Sequence, residues 1–286
     1  MKIALCFSGQ PRNVRECYHM ISQLLVQDYD VDIYAHLWWD ASYKDQIIRF
    51  EFKDTYEYDA GKEFLKLYKP KSYKFEPQKD FNLSAFNFNN YGVCANEFDA
   101  KVCAFNLTSM WYSVDQAHNL ALESDVEYDI YVRCRTDLAF TEAIPFDNFA
   151  PNQLYVADGR TAGADRHCAD WFAYGNMENM NKYCNLKTLF PDCNSNGIMH
   201  MHKFIENALM TQGCMINFWT VRCYLSQMVN NFALCKDSDG FVAPNTFKSK
   251  WESGALAGSA NSLTHESYIG RPKEQWPHYA KGWEDE

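Results

Sequence analysis

The 286-residue chain carries 11 cysteines but no Cys-x-x-Cys pair. An odd count without that spacing excludes a zinc ribbon and a complete disulfide framework, and buried free thiols are the expectation. Long apolar runs are also missing. The opening stretch Ile3–Phe7 ends at Ser8-Gly9-Gln10-Pro11-Arg12, too short for a membrane span or for the apolar part of a secretory signal. A cytoplasmic protein with no transmembrane segment is expected, with peripheral attachment to a membrane left open. Basic charge is scarce. With 27 Lys+Arg against 37 Asp+Glu the formal charge is −10, so no nucleic-acid partner is expected. The chain contains no Walker A loop, no Gly-x-Gly-x-x-Gly and no Gly-x-Ser-x-Gly. Phosphate-loop nucleotidases, dinucleotide dehydrogenases and nucleophile-elbow hydrolases therefore lack their motifs. Repeats and Pro/Ser-rich linkers are absent too, which gives one domain over residues 1–286.

What the chain has in plenty is aromatic and apolar surface. Hydrophobic residues make up 47% and aromatic residues 16%, enough for a real core and for flat side chains in a cleft. Ile3–Phe7 shows no alternation, as expected of a parallel strand covered on both faces. Val14, Cys17, Tyr18, Ile21, Leu24 and Leu25 recur at helical spacing, and a second strand follows at Val31–Leu37. A helix from Tyr56 to Tyr68 and a strand from Pro70 to Phe75 extend the βαβ pattern. Residues 77–96 form an Asn- and Phe-rich loop, and a long helix spans about Glu97–Glu123. Further strands are expected at Gln153–Ala157, Asp170–Gly175 and Ile216–Val221. Helices are expected at about Met177–Phe190, His200–Thr211 and Arg222–Val229, and the last forty residues show little regular pattern. The fold class is α/β, with a single Rossmann-like open sheet and an irregular C-terminal region.

Tyr128–Leu138 is the most informative stretch. Period-2 alternation puts Ile130, Val132 and Cys134 on one face and Tyr131, Arg133, Arg135 and Asp137 on the other. Charges ordered along a strand that should be apolar on both sides conflict with local consistency, and such conflicts mark functional sites. The loop Ser8-Gly9-Gln10-Pro11-Arg12 lies where strand one meets helix one, a position suited to an anion, and Arg12 adds a fixed charge. Trp38-Trp39-Asp40 ends the second strand either as a stacking platform for a sugar or base or as a packed corner. His200 and His202, two apart, share no helix face and are no metal pair.

Taken in order, Lys2–Arg12, Asp32–Trp38, Tyr131–Asp137 and Asp170–Gly175 resemble the glycosyltransferases of A-type fold that act in lipopolysaccharide, capsule and viral glycan synthesis, close to the WavE-like group. The resemblance covers about residues 1–210, and the Arg-x-Arg-x-Asp strand together with the opening loop is its most specific part. It implies a glycosyltransferase of polysaccharide biosynthesis that moves a sugar from a UDP- or GDP-sugar to a hydroxyl of a glycan or lipid-linked acceptor. The nucleotide-binding half would be about 1–140 and the acceptor half about 141–286. Donor binding falls to Ser8, Gly9, Gln10, Arg12, Arg133, Arg135 and Asp137. The resemblance also implies Mn²⁺ or Mg²⁺, with Asp137 matching the last carboxylate of an Asp-x-Asp-like motif and His265 as a second ligand. Arg135 stands at the motif's first position, so metal dependence is open and Arg135 is an alternative source of charge for the diphosphate. The base that takes the acceptor proton is expected among Asp170, Glu206 and Asp165, in that order. Two other readings stay open: a sugar-phosphate nucleotidyltransferase and a catalytically silent carbohydrate- or nucleotide-binding protein.

Overall fold

The chain from Ile3 to Ser8 is buried at every position, which only a strand covered on both faces can be. The computed structural model describes residues 1–43, 47–49, 54–55, 58–88, 96–140, 142–158, 168–190, 201–219, 223–225, 236–239 and 241–252. Strand β1 (Lys2–Gly9) is followed by α1 (Val14–Ile21), a π-helical turn at Ser22–Val26 and β2 (Asp30–Trp38). The short strands β3 (Ile47–Arg49) and β4 (Asp54–Thr55) pair with each other. Then come α2 (Ala60–Tyr68), β5 (Ser72–Glu76), α3 (Glu97–Leu122), β6 (Ile130–Cys134) and β7 (Leu138–Phe140). The remaining elements are β8 (Gln153–Asp158), β9 (Cys168–Gly175), α4 (Met177–Cys184), α5 (Met201–Thr211), β10 (Met215–Trp219), β11 (Cys223–Leu225) and α6 (Pro244–Glu252).

Seven strands form one mixed, mostly parallel open sheet in the order β10-β8-β9-β6-β1-β2-β5. β5, β2, β1 and β6 run parallel, β9 runs antiparallel to both β6 and β8, and β10 is parallel to β8. The architecture is compatible with a Rossmann-like fold. β1 lies between β2 and β6, so the residues that leave β1 and β6 emerge at adjacent parallel strand ends. A crevice at the carboxyl ends of these two strands is the expected ligand position.

Alternation along β1 divides the core into two layers. Ile3, Leu5 and Phe7 point to the layer of α1 and α2, where Phe7 meets the rings of Phe64 at 5.3 Å and Tyr68 at 4.9 Å. Ala4 and Cys6 point to the layer of α3, α4 and α5, which is centred on Trp111. Each fully buried Leu or Phe stabilises such a layer by about 1.5–3 kcal/mol. Three helix starts are fixed by side-chain caps: Asp59 accepts from the Lys62 amide, Asn96 from Asp99 and Asn176 from Asn179. No helix among the described residues is long and apolar enough to cross a membrane.

Several boundaries differ from the sequence expectation. The strand read as Tyr128–Leu138 ends at Cys134, and residues 136–137 turn before β7. The alternation also misled in part, since Tyr131, opposite the apolar set, packs into the second layer. The helix read from Tyr56 starts at Ala60, behind its Asp59 cap, and the one read to Phe190 stops at Cys184 before a 3-10 turn at Leu186–Leu189. Within Arg222–Val229 the described residues Cys223–Leu225 form a strand, because the buried edge of β7 offers antiparallel partners from Phe140 to Leu138. The C-terminal region contains α6, held by buried Phe247. Cys6, Cys17, Cys134, Cys168, Cys184 and Cys214 are buried.

Gly61 shows how closely the layers meet. A Cβ there would stand 2.3 Å from Trp39 Cδ1, and the Trp39 ring is buried and tied through Nε1 to Asp59 Oδ1 at 3.1 Å. Gly61→Ala is therefore expected to destabilise the fold by about 1–3 kcal/mol despite the better helix propensity of alanine, measured as a lower urea midpoint.

Candidate functional site

The two sequence segments singled out above meet at the carboxyl ends of β1 and β6. Phe7 pairs with Cys134, so the next residues of each strand, Ser8–Arg12 and Arg135–Asp137, enter the crevice side by side. Thr136 ties them together, its hydroxyl donating to the Arg12 carbonyl at 2.9 Å. Gly9 allows the turn, with φ at +102°, a conformation that L side chains rarely adopt.

Arg135 and Asp137 form a two-point ion pair. Nε donates to Oδ1 at 2.8 Å and Nη2 to Oδ2 at 2.7 Å. The Asp137 side chain is 1% exposed and that of Arg135 is 19% exposed, so the anion lies inward and the cation outward. Burial alone would raise the Asp137 carboxyl. The charge and hydrogen bonds of Arg135, with the charge of Arg12, outweigh it and hold the group below the ordinary carboxylate range. Arg12 also reaches the Gln10 side chain through Nη2.

The other expected site residues divide clearly. Arg133 is fully sunk in the α3 layer, where Nη1 donates to the Trp171 carbonyl and Nε has no hydrogen-bond partner among the described residues. Burial lowers its pKa, against the pull of Tyr183 and Asp170. Ser8 is buried, and its Oγ has no hydrogen-bond partner among the described residues. Asp170 is the third residue of the antiparallel strand β9, two before Phe172, the partner of Cys134, and so lies at the same end of the sheet as Arg135. It interacts electrostatically with both Arg133 and Arg135, and its carboxylate has no hydrogen bond among the described residues. Glu206 sits half-buried on α5, and no hydrogen bond or ion pair joins it to this cluster. Asp165 and His265 lie outside the described residues.

A divalent ion at Asp137 does not fit this arrangement. Both carboxylate oxygens are engaged by Arg135, and the ion would have to displace that guanidinium while standing in the field of Arg12.

The sequence gave no hint of the buried polar chain behind the loop. The Gly9 amide donates to Ser113 Oγ on α3 at 2.8 Å. Ser113 Oγ in turn lies 2.8 Å from His36 Nδ1 and 2.9 Å from the His36 carbonyl, and His36 Nε2 lies 3.1 Å from Glu76 Oε2. The Gly9 amide is thus spent on holding the loop rather than on a ligand. Desolvation works against the Glu76 carboxylate, but Lys74 and His36 overcome it and pull its pKa down to about 2. Burial lowers His36, with Glu76 pulling the other way. A neutral His36 bearing its proton on Nε2 meets the carboxylate, and the one Ser113 proton faces Nδ1 and the carbonyl. Beside this chain Trp38 is buried and stacked on Tyr112 at 5.5 Å, so the tryptophan pair is a packed corner. Lys79 Nζ lies 3.7 Å above the Tyr112 ring.

The network makes stability depend on pH in a definite direction. The unfolded histidine binds its proton near pH 6.5, above the folded value, so His36 costs stability as pH falls below that point. Glu76 adds a second loss between about pH 4.5 and 2. His36→Gln is expected to flatten the decline in urea midpoint between pH 7 and 5, and a decline as steep as that of the wild type would remove His36 from the linkage. Ser113→Ala leaves the Gly9 amide unsatisfied and is expected to cost about 1–3 kcal/mol in urea unfolding.

No protein-family model matches the chain, and a search of curated proteins found no match.

Proposed function

We propose that this chain is a glycosyltransferase of A-type fold that moves a sugar from a UDP- or GDP-sugar to an acceptor hydroxyl of a glycan or lipid-linked glycan. The observation that carries the reading is the convergence of the β1 loop and the Arg135–Asp137 turn at adjacent strand ends, with the Asp170 carboxylate, which has no hydrogen bond among the described residues, at the same end of the sheet. Cations there suit a diphosphate, and a carboxylate beside them suits a proton acceptor. The strand order supports a ligand crevice at this place, and the departure of β9 from the parallel direction argues against a dinucleotide-binding sheet.

In this reading the bond between the sugar's anomeric carbon and the diphosphate oxygen breaks as the acceptor oxygen bonds to that carbon. Arg135 and Arg12 receive the charge of the departing nucleoside diphosphate. Asp170 takes the acceptor proton if the anomeric centre is inverted.

The test is transfer or hydrolysis measured with UDP- and GDP-sugars, with and without Mn²⁺. Release of nucleoside diphosphate is expected. Release of pyrophosphate from a nucleotide and a sugar phosphate would identify a nucleotidyltransferase instead, and binding without turnover a silent binding protein. Asp170→Asn should leave donor affinity nearly unchanged and cut turnover by roughly 10²–10⁴-fold, whereas full activity in this variant would remove Asp170 as the base.

A further inference from the structure

We propose that Arg135, clamped by Asp137, is the built-in cation of this site, so that an anionic ligand binds here without a divalent ion. The inference deepens the donor reading and rests on it only for the identity of the anion as a diphosphate.

The geometry of the pair carries the argument. A guanidinium has five N–H donors in a rigid fork. The edge formed by Nε and Nη2 is spent on the two oxygens of Asp137, and the opposite edge makes no hydrogen bond among the described residues. Because the Asp137 side chain is 1% and that of Arg135 19% exposed, the spent edge lies on the buried carboxylate and the exposure of the pair belongs to Arg135. An unclamped arginine would have to give up its rotamer freedom on meeting a ligand, whereas this one is already held.

The surroundings reinforce the sign. Arg12 is close enough to act on Asp137 electrostatically, and Arg133 and Arg135 act on each other as like charges. Among the described residues, three guanidinium groups against the carboxylates of Asp137 and Asp170 leave the cluster cationic. An anion gains from that field, and a divalent cation is repelled by it. Asp137 is on this account a positioning residue whose charge is answered within the protein, while Arg135 touches the ligand.

Inorganic pyrophosphate, UDP and GDP, titrated calorimetrically against the full chain in EDTA and again with Mn²⁺, test this directly. Affinities within about twofold of each other in the two buffers are expected. Arg135→Ala should weaken pyrophosphate binding by about 10- to 100-fold in EDTA, the usual effect of losing charged hydrogen bonds, with Arg135→Lys falling in between. Asp137→Asn should keep metal-free binding to within about fivefold, and where that variant folds poorly the two Arg135 variants decide the matter. Binding that requires Mn²⁺, or unchanged affinity in Arg135→Ala, overturns the inference and leaves the transferase reading standing. Metal-free binding of pyrophosphate without binding of either nucleotide upholds the cation and removes the nucleotide donor. No binding of any of the three in either buffer overturns both.

Discussion

Placing a carboxylate beneath the surface at the end of a sheet carries a large desolvation cost, and the structure around Asp137 follows from how that cost is met. Arg135 answers it with two hydrogen bonds in the plane of the carboxylate, so neither charge stands alone in the interior. A separation of only two residues obliges the chain to turn between them. That turn buries Thr136, whose hydroxyl then needs an acceptor and finds one in the carbonyl of Arg12. In this way one ion pair accompanies the end of strand β6 and aligns the loop after β1.

The loop is held equally firmly from the other face of the sheet. Gly9, Ser113, His36 and Glu76 link the end of β1 to α3 and to the ends of β2 and β5. Buried polar chains of this kind are rigid when every member is satisfied. The two supports differ in their response to conditions. The guanidinium pair keeps its charges across the physiological range, whereas the histidine chain responds to acid. The crevice therefore has a permanent electrostatic support and a conditional geometric one.

Much of the fold was legible in the sequence because it is written in local patterns. The uninterrupted apolar run at Ile3–Phe7, the helical spacing from Val14 and the long helix from Glu97 each match an element to within a few residues. The cluster of Arg135, Asp137 and the β1 loop was visible too, since charges at strand ends break the apolar pattern. The rest depended on contacts between distant segments. Ser113 and His36 are 77 residues apart and look like an ordinary helix serine and strand histidine until the sheet brings them together. Arg133 looked equivalent to Arg135 by alternation, yet one is sunk against Trp171 and Tyr183 while the other reaches the crevice, because the strand stops between them. Cys223–Leu225 is too short for its period to distinguish helix from strand, and antiparallel pairing with the buried edge of β7 decided it.

The reversed direction of β9 separates two kinds of change that such a site can undergo. Its parallel neighbours deliver the residues at which they end, and the chain then continues into turns bound to the core. β9 runs the other way, so Asp170, third in the strand, comes from near its beginning. The carboxylate and the guanidinium pair are thus carried by strands of opposite direction, and a change that shifts one strand along its axis need not move the other.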